Sequence, residues 1–427
     1  MLMRPLLALA ALASVSSVAA QEAHTREHWI ATWGTAQQLA VETQPSWVEP
    51  PPRKTQTGPP PPSPIPPFPA SFRDETVRMV VRASLGGRLV RIALSNALGM
   101  RPVRVGAVHV ALRERDSKIV AGSDRAAQFG GRASFTVQPG ALVVSDPIEL
   151  AVPVLAELAV SLYLPEDTGA PTTHALALNT TFVARGNAVA DTSMPGAAMN
   201  RTYFWLAGVE VLAAADTGTI VAFGDSITDG FSTTPDSHRE WPSMLAAKLA
   251  SNRGNVRWAV ANAGISGNRV RRDVVGVSAL ARFDRDVLAR AGVKWLVLLE
   301  GINDITFSAL PRAPAGERTS ADQLVEALEQ VVARAHACGI KVMGGTLTPM
   351  DGLWLHNPET EAMRAAVNQW VRTSGNLDAI ADFDAATRDP AHPERLRPEL
   401  DSGDHIHPND AGNAAMAAAI DTSAFDR

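Results

Sequence analysis

Residues 219–226 read Thr219-Ile220-Val221-Ala222-Phe223-Gly224-Asp225-Ser226, and this stretch decides how the C-terminal half folds. Five residues that are apolar or β-branched end at a glycine, and Asp225 and Ser226 then open a segment with helical character. An unbroken apolar strand followed by a tight turn and a helix is the repeating unit of a parallel sheet buried on both faces. Further strands are expected at 256–261, 295–299, 341–346 and 379–383, and helices at 241–250, 320–337, 359–371 and 410–420. Alternation of this kind predicts an α/β fold of about five parallel strands, with ligands received beyond the strands' carboxyl ends.

Upstream, the periodicity changes. From His28-Trp29-Ile30-Ala31-Thr32-Trp33 to about residue 211, short alternating segments recur between turn residues and no long helical pattern intervenes. Strands are expected at 106–112, 133–137, 158–164 and 174–182. The pair 76–82 and 88–94, with Gly86-Gly87 between them, reads as a hairpin. A β-sandwich or jelly-roll-like unit is therefore expected over 21–211, ahead of a unit at 212–427. Residues 50–69, with Pro59 to Pro62 at their centre, read as an extended proline-rich segment and most simply as a surface loop.

The first twenty residues have a basic start at Arg4, an apolar run at 6–18 and small residues at Val18-Ala19-Ala20, the pattern of a signal peptide cut before Gln21. Export to the periplasm or beyond is the expectation. That run is too short to span a bilayer, so a stable membrane anchor is not expected. Cys338 is the only cysteine, so an internal disulfide is excluded. Lysine and arginine total 39 against 44 acidic residues and form no run, which argues against a nucleic-acid partner.

Four separated segments carry the chemistry: Gly224-Asp225-Ser226, Asn262-Ala263-Gly264-Ile265-Ser266-Gly267, Gly301-Ile302-Asn303-Asp304 and Asp404-His405-Ile406-His407-Pro408. A serine hydroxyl needs a base to take its proton, and His407 with Asp404 three residues ahead can supply base and orienting acid. Backbone N–H groups of Ser226 and Gly267 and the Asn303 amide can face a developing oxyanion. Simpler readings stand beside these. Asp225 or Ser226 is equally suited to cap a helix, Gly267 to serve a turn and Asn303 to bind local backbone. His405 is a rival base, and Asp225, Asp404, His405 and His407 compose an alternative metal site for phosphodiester cleavage. Pro408 fits the first position of the last helix.

Together the four segments resemble blocks I, II, III and V of the GDSL or SGNH hydrolases over about 219–420, with Gly-Asp-Ser-Ile where the family name has leucine. The resemblance implies a flavodoxin-like three-layer domain, no cofactor, a Ser226–His407–Asp404 triad and an oxyanion hole at Ser226, Gly267 and Asn303. The whole chain, with Trp29 and Trp33 spaced as Trp-x-x-x-Trp, is similar to an exported subgroup of acetylxylan-esterase-like or lysophospholipase-like proteins. Acylated carbohydrate or another small ester is then the expected substrate, with Trp241, Arg269 and Trp354 as candidates to line its cleft. A lipid or aryl esterase is the alternative. A carbohydrate-binding protein with a silent hydrolase half is the reading from another class.

Overall fold

A computed structural model describes residues 27–39, 45, 47–48, 69–251 and 257–426. The expected signal segment 1–20 and proline-rich segment 50–69, except Pro69, lie outside the described residues. No described helix is long and apolar enough to cross a membrane.

The C-terminal half is built on five parallel strands in the spatial order Trp258–Gly264, Gly218–Gly224, Val293–Leu299, Lys341–Gly345, Ala379–Ala381. Numbered along the chain, this order is 2-1-3-4-5, the flavodoxin-like arrangement, whose switch point lies beside the first strand. All seven residues of Gly218–Gly224 are buried. Ile220, Val221 and Phe223 share one core with Leu296, Leu298, Val331, Val342 and Val367 from neighbouring strands and covering helices. Burial of each such side chain contributes roughly 1.5–3 kcal/mol, which makes this interior strand an anchor of the sheet.

The helices start where their caps dictate. Ser320 and Gln323 form a reciprocal capping box ahead of Ala321–Ala337. Asn357 caps Pro358–Thr373, with Pro358 at the first helical position. The last strand ends at Ala381 rather than 383, because Asp382 accepts from Ala385 N and starts the short helix Phe383–Thr387. Asn409, not Pro408, sets the beginning of Asp410–Ala419, since its side chain accepts from Ala411 N and Gly412 N. Pro408 therefore precedes the cap.

Two large antiparallel sheets form the body of the N-terminal half, with a three-stranded sheet that includes Thr172–His174 and a two-stranded one beside them. One large sheet contains His28–Gly34, Leu206–Ala213, Gly87–Ser95, Leu142–Val144 and Ile148–Val152; the other is seven-stranded around Glu75–Arg82 and Glu157–Leu164. Val77, Met79, Leu158 and Val160 from the second sheet meet Val90, Ile92, Val209 and Val211 from the first in one core, which makes the unit a sandwich.

The hairpin expected at 76–94 does not form. Glu75–Arg82 pairs with Glu157–Leu164 and Thr181–Arg185, whereas Gly87–Ser95 lies in the opposite sheet beside Leu206–Ala213. The connection crosses between sheets, with Ala83 N donating to Ala156 O and Ser84 N to Thr32 O. Both strands carry an apolar face for the same core, and facing sheets satisfy that requirement as well as pairing would. The strand expected at 174–182 is likewise two pieces, Thr172–His174 and Thr181–Arg185, in different sheets.

The sandwich packs on the parallel sheet through its first strand. Ala31 N donates to Ala291 O at 2.9 Å, and Ser84 Oγ donates to Val260 O at 3.1 Å. Arg290 reaches across to Ala207 O at 2.6 Å and Thr35 O at 2.5 Å.

Candidate active site

Gly224 ends the first parallel strand because nothing larger fits there: a Cβ would lie 2.2 Å from Leu299 O and 2.3 Å from Thr228 Oγ1. The chain then turns into the four-residue helix Ser226–Asp229. Asp225 caps it, its carboxylate accepting from Ile227 N at 3.0 Å. Capping by Asp225 leaves the Ser226 side chain free for another partner. Ser226 Oγ lies 2.7 Å from His407 Nε2, and His407 Nδ1 lies 2.6 Å from Asp404 Oδ2.

Asp404 Oδ1 accepts from Ile406 N at 3.1 Å and His407 N at 2.9 Å, so the turn itself orients the acid toward the imidazole. Burial works against ionisation of Asp404, but the hydrogen bond and charge of His407 and these two N–H groups outweigh it. Its carboxyl is held well below the ordinary carboxylate range. The Phe231 ring sits 4.5 Å from the His407 ring and limits where the imidazole can move.

Gly267 has φ +80 in the turn closed by Asn268 N to Ile265 O at 3.0 Å, a conformation that favours glycine. Asn303, in the first turn of Ile302–Ser308, donates one amide hydrogen to Asn268 O at 3.0 Å. The second N–H of that carboxamide is left for another acceptor. Turn and helix are thus bolted together, and Asp304 tightens the joint by accepting from Val270 N at 2.7 Å. The turn is also fixed to the serine helix, since Ser266 N and Oγ both donate to Asp229 Oδ2 at 2.8 Å.

Beneath this rim lies Arg282, whose side chain is fully buried. Its guanidinium donates to Gly224 O at 2.9 Å, Ala263 O at 2.7 Å and Asn268 Oδ1 at 2.9 Å, and stacks over Phe223. One cation therefore gathers the ends of the first two strands and the Gly267 turn. Close by, burial raises the carboxyls of Asp225 and Glu300; the charge of Asp304 adds to both shifts and that of Asp225 to the shift at Glu300, so both are biased toward the neutral form.

Other site expectations need correction. Trp241 is 0% exposed, packed on Phe383 in the core, so it cannot line a cleft. Arg269 is also buried, with Nη2 2.9 Å from Glu317 Oε2. Trp354 is half-buried on the loop whose Gly352 abuts the His405 ring. His405 is not the base, because the ring nitrogen that meets Ser226 Oγ is His407 Nε2; His405 instead pairs its Nδ1 with Asp401 Oδ2 at 2.7 Å. Among the described residues, His356, Glu361 and Glu394 bring potential metal-binding atoms together, and none of Asp225, Asp404, His405 or His407 belongs to that group.

Residues 222–415 match the GDSL-like Lipase/Acylhydrolase family. The C-terminal half of this chain is a GDSL/SGNH acylhydrolase domain. No curated protein matched the chain. Among solved structures, the domain is similar to Axe2, an acetylxylan esterase from Geobacillus stearothermophilus, at 22% identity and TM-score 0.37, covering 48% of this chain and 94% of that one. It is also similar to an α/β hydrolase enzyme from the metagenome of Lake Arreo, Spain, at 21% identity and TM-score 0.39, covering 49% and 95%. The acylhydrolase domain is an ester hydrolase with an antiparallel β-domain ahead of it.

Three residues of this site are not marked by the four segments: Asp229, His174 and Arg282. Asp229 stands three residues after Ser226, one helical turn along, and that spacing was the available signal. His174 and Arg282 carry no local signal of these roles, since Asp229 for the one and Gly224 O and Ala263 O for the other are distant in sequence.

Proposed function

We propose that the chain is an exported serine esterase that removes short acyl groups, acetyl above all, from carbohydrate. The observation that carries this reading is the unbroken contact from Ser226 Oγ through His407 to Asp404. In the reaction, His407 Nε2 takes the hydroxyl proton as Ser226 Oγ attacks the ester carbonyl. Backbone N–H groups of Ser226 and Gly267 and the Asn303 amide receive the oxyanion. Protonated His407 then gives its proton to the departing alcohol. Water, activated by the same imidazole, releases the acid from Ser226.

A small acyl group suits the approach to this serine. Ser226 is 5% exposed, Phe231 lies against His407, and Val275 crowds Gly267. The half-buried Trp354, two residues after the Gly352 that abuts His405, offers an aromatic surface that suits a sugar ring. Ser226→Ala is expected to abolish hydrolysis of p-nitrophenyl acetate, and turnover retained by that variant would reject the assignment. A series of esters from acetate to palmitate tests the acyl preference; faster cleavage of long chains would favour a lipid esterase. Release of acetate from acetylated xylan tests the alcohol. An N-terminus at Gln21 in protein recovered outside the cytoplasm tests export.

A further inference from the structure

We propose that His174, contributed by the β-domain, is a positioning residue for the oxyanion turn of the acylhydrolase domain, acting through Asp229 and Ser266. This inference rests on the serine-esterase reading and deepens it by giving the β-domain a part in the reaction.

His174 ends the strand Thr172–His174 and is 4% exposed. Its Nδ1 lies 2.8 Å from Ala36 O, while Nε2 lies 3.1 Å from Leu176 O and 3.0 Å from Asp229 Oδ1. Carbonyl and carboxylate oxygens only accept, so each ring nitrogen here must carry a hydrogen, and the imidazole is held as a cation. Burial works against that charge, but Asp229 and the two carbonyls overcome it and raise the imidazole's pKa.

Asp229 is 3% exposed and uses both oxygens. Oδ1 meets His174, and Oδ2 receives Ser266 N and Ser266 Oγ, each at 2.8 Å. Ser266 is the residue before Gly267, whose N–H is assigned to the oxyanion. Asp229 also closes the helix opened by Ser226, and Asn262 Nδ2 holds Thr228 O at 2.9 Å. The path from His174 to Gly267 thus consists of one ion pair, two hydrogen bonds and one peptide unit. Without the cation, Asp229 would be a buried carboxylate with no counter-charge at Oδ1, and its hold on Ser266 would change. A small cavity of about 40 Å³ beside the pair is also lined by Arg82, Tyr203, His238 and Glu240, so the pair sits in a polar seam between the two units.

A residue that only glues the units together would affect stability and leave the kinetic constants of the folded enzyme unchanged. One that sets the oxyanion turn affects kcat, because that donor acts on the transition state more than on bound substrate. The test is steady-state hydrolysis of p-nitrophenyl acetate by the full chain, below each variant's unfolding transition. His174→Gln is expected to lower kcat by about tenfold or more with KM within about twofold. An unchanged kcat, or a raised KM at unchanged kcat, overturns the proposal. If His174→Gln does not fold, Ser266→Ala decides by the same criteria, because it removes one link to Asp229 and leaves the ion pair intact. Ser226→Ala, assayed in parallel, separates the two readings: turnover retained there defeats the serine-esterase reading itself, whereas its loss beside an unaffected His174→Gln defeats only the positioning role.

Discussion

Single side chains in this site do two tasks at once. Asp225 caps the helix that Ser226 begins, so the serine is spared that task and meets His407 instead. Asn303 spends one hydrogen on Asn268 O, which fixes the orientation of the other. Asn303→Ala is expected to lower kcat about 10²–10³-fold with little change in KM, read from initial rates on p-nitrophenyl acetate. Gly267→Ala keeps the backbone N–H but misplaces it through strain, because φ is +80 and a Cβ would lie 3.0 Å from Val275 Cβ. A fall of at least 10²-fold in kcat, together with a lower unfolding temperature, is the expected outcome. Ser226, His407 and Asp404 were readable as residues because acyl transfer demands those types. Asp229 and His174 were not assigned roles, since a carboxylate and an imidazole acquire partners only through folding.

Elements were legible to the extent that one segment's chemistry fixes them. The helix Trp241–Ala250 has the bounds that periodicity gives, and Ser320 caps its helix as a capping box should. Strand pairing was less legible, because two apolar strands joined by a glycine turn can pair with each other or lie in facing sheets. Near the site, the helix Ile302–Ser308 carries Asp304, which burial pushes up to about 6 despite its bonds to Val270 N and Arg271 N. A carboxyl raised in the folded state favours folding below its unfolded pKa of about 4, and that contribution is lost as pH rises through the folded value. The stability of the wild type relative to Asp304→Asn is therefore expected to fall between about pH 4 and pH 6–7. Chemical denaturation of both proteins across that range checks the sign.

At the scale of the whole molecule, the two halves share buried polar links as well as apolar packing. Arg290 donates to Ala207 O, Thr35 O and Asp286 O, joining a loop of the acylhydrolase domain to the sandwich. Arg290→Ala leaves those carbonyls short of a donor and is expected to cost about 2–4 kcal/mol, measured by equilibrium denaturation of the full chain. The sequence by itself determined the α/β and β-rich halves, the strand–turn–helix setting of Ser226, and the residue types needed for ester cleavage. Those follow from local periodicity and from what a hydroxyl nucleophile requires. Only the tertiary structure decided that Trp241 and Arg269 are buried, that His405 belongs to Asp401, that the expected hairpin divides between sheets, and that His174 reaches Asp229. Apart from the His405–Asp401 pair, which is four residues apart and set by the local turn, each depends on contacts between residues far apart in the chain, where a side chain's neighbours follow from how the sheets stack and not from local spacing.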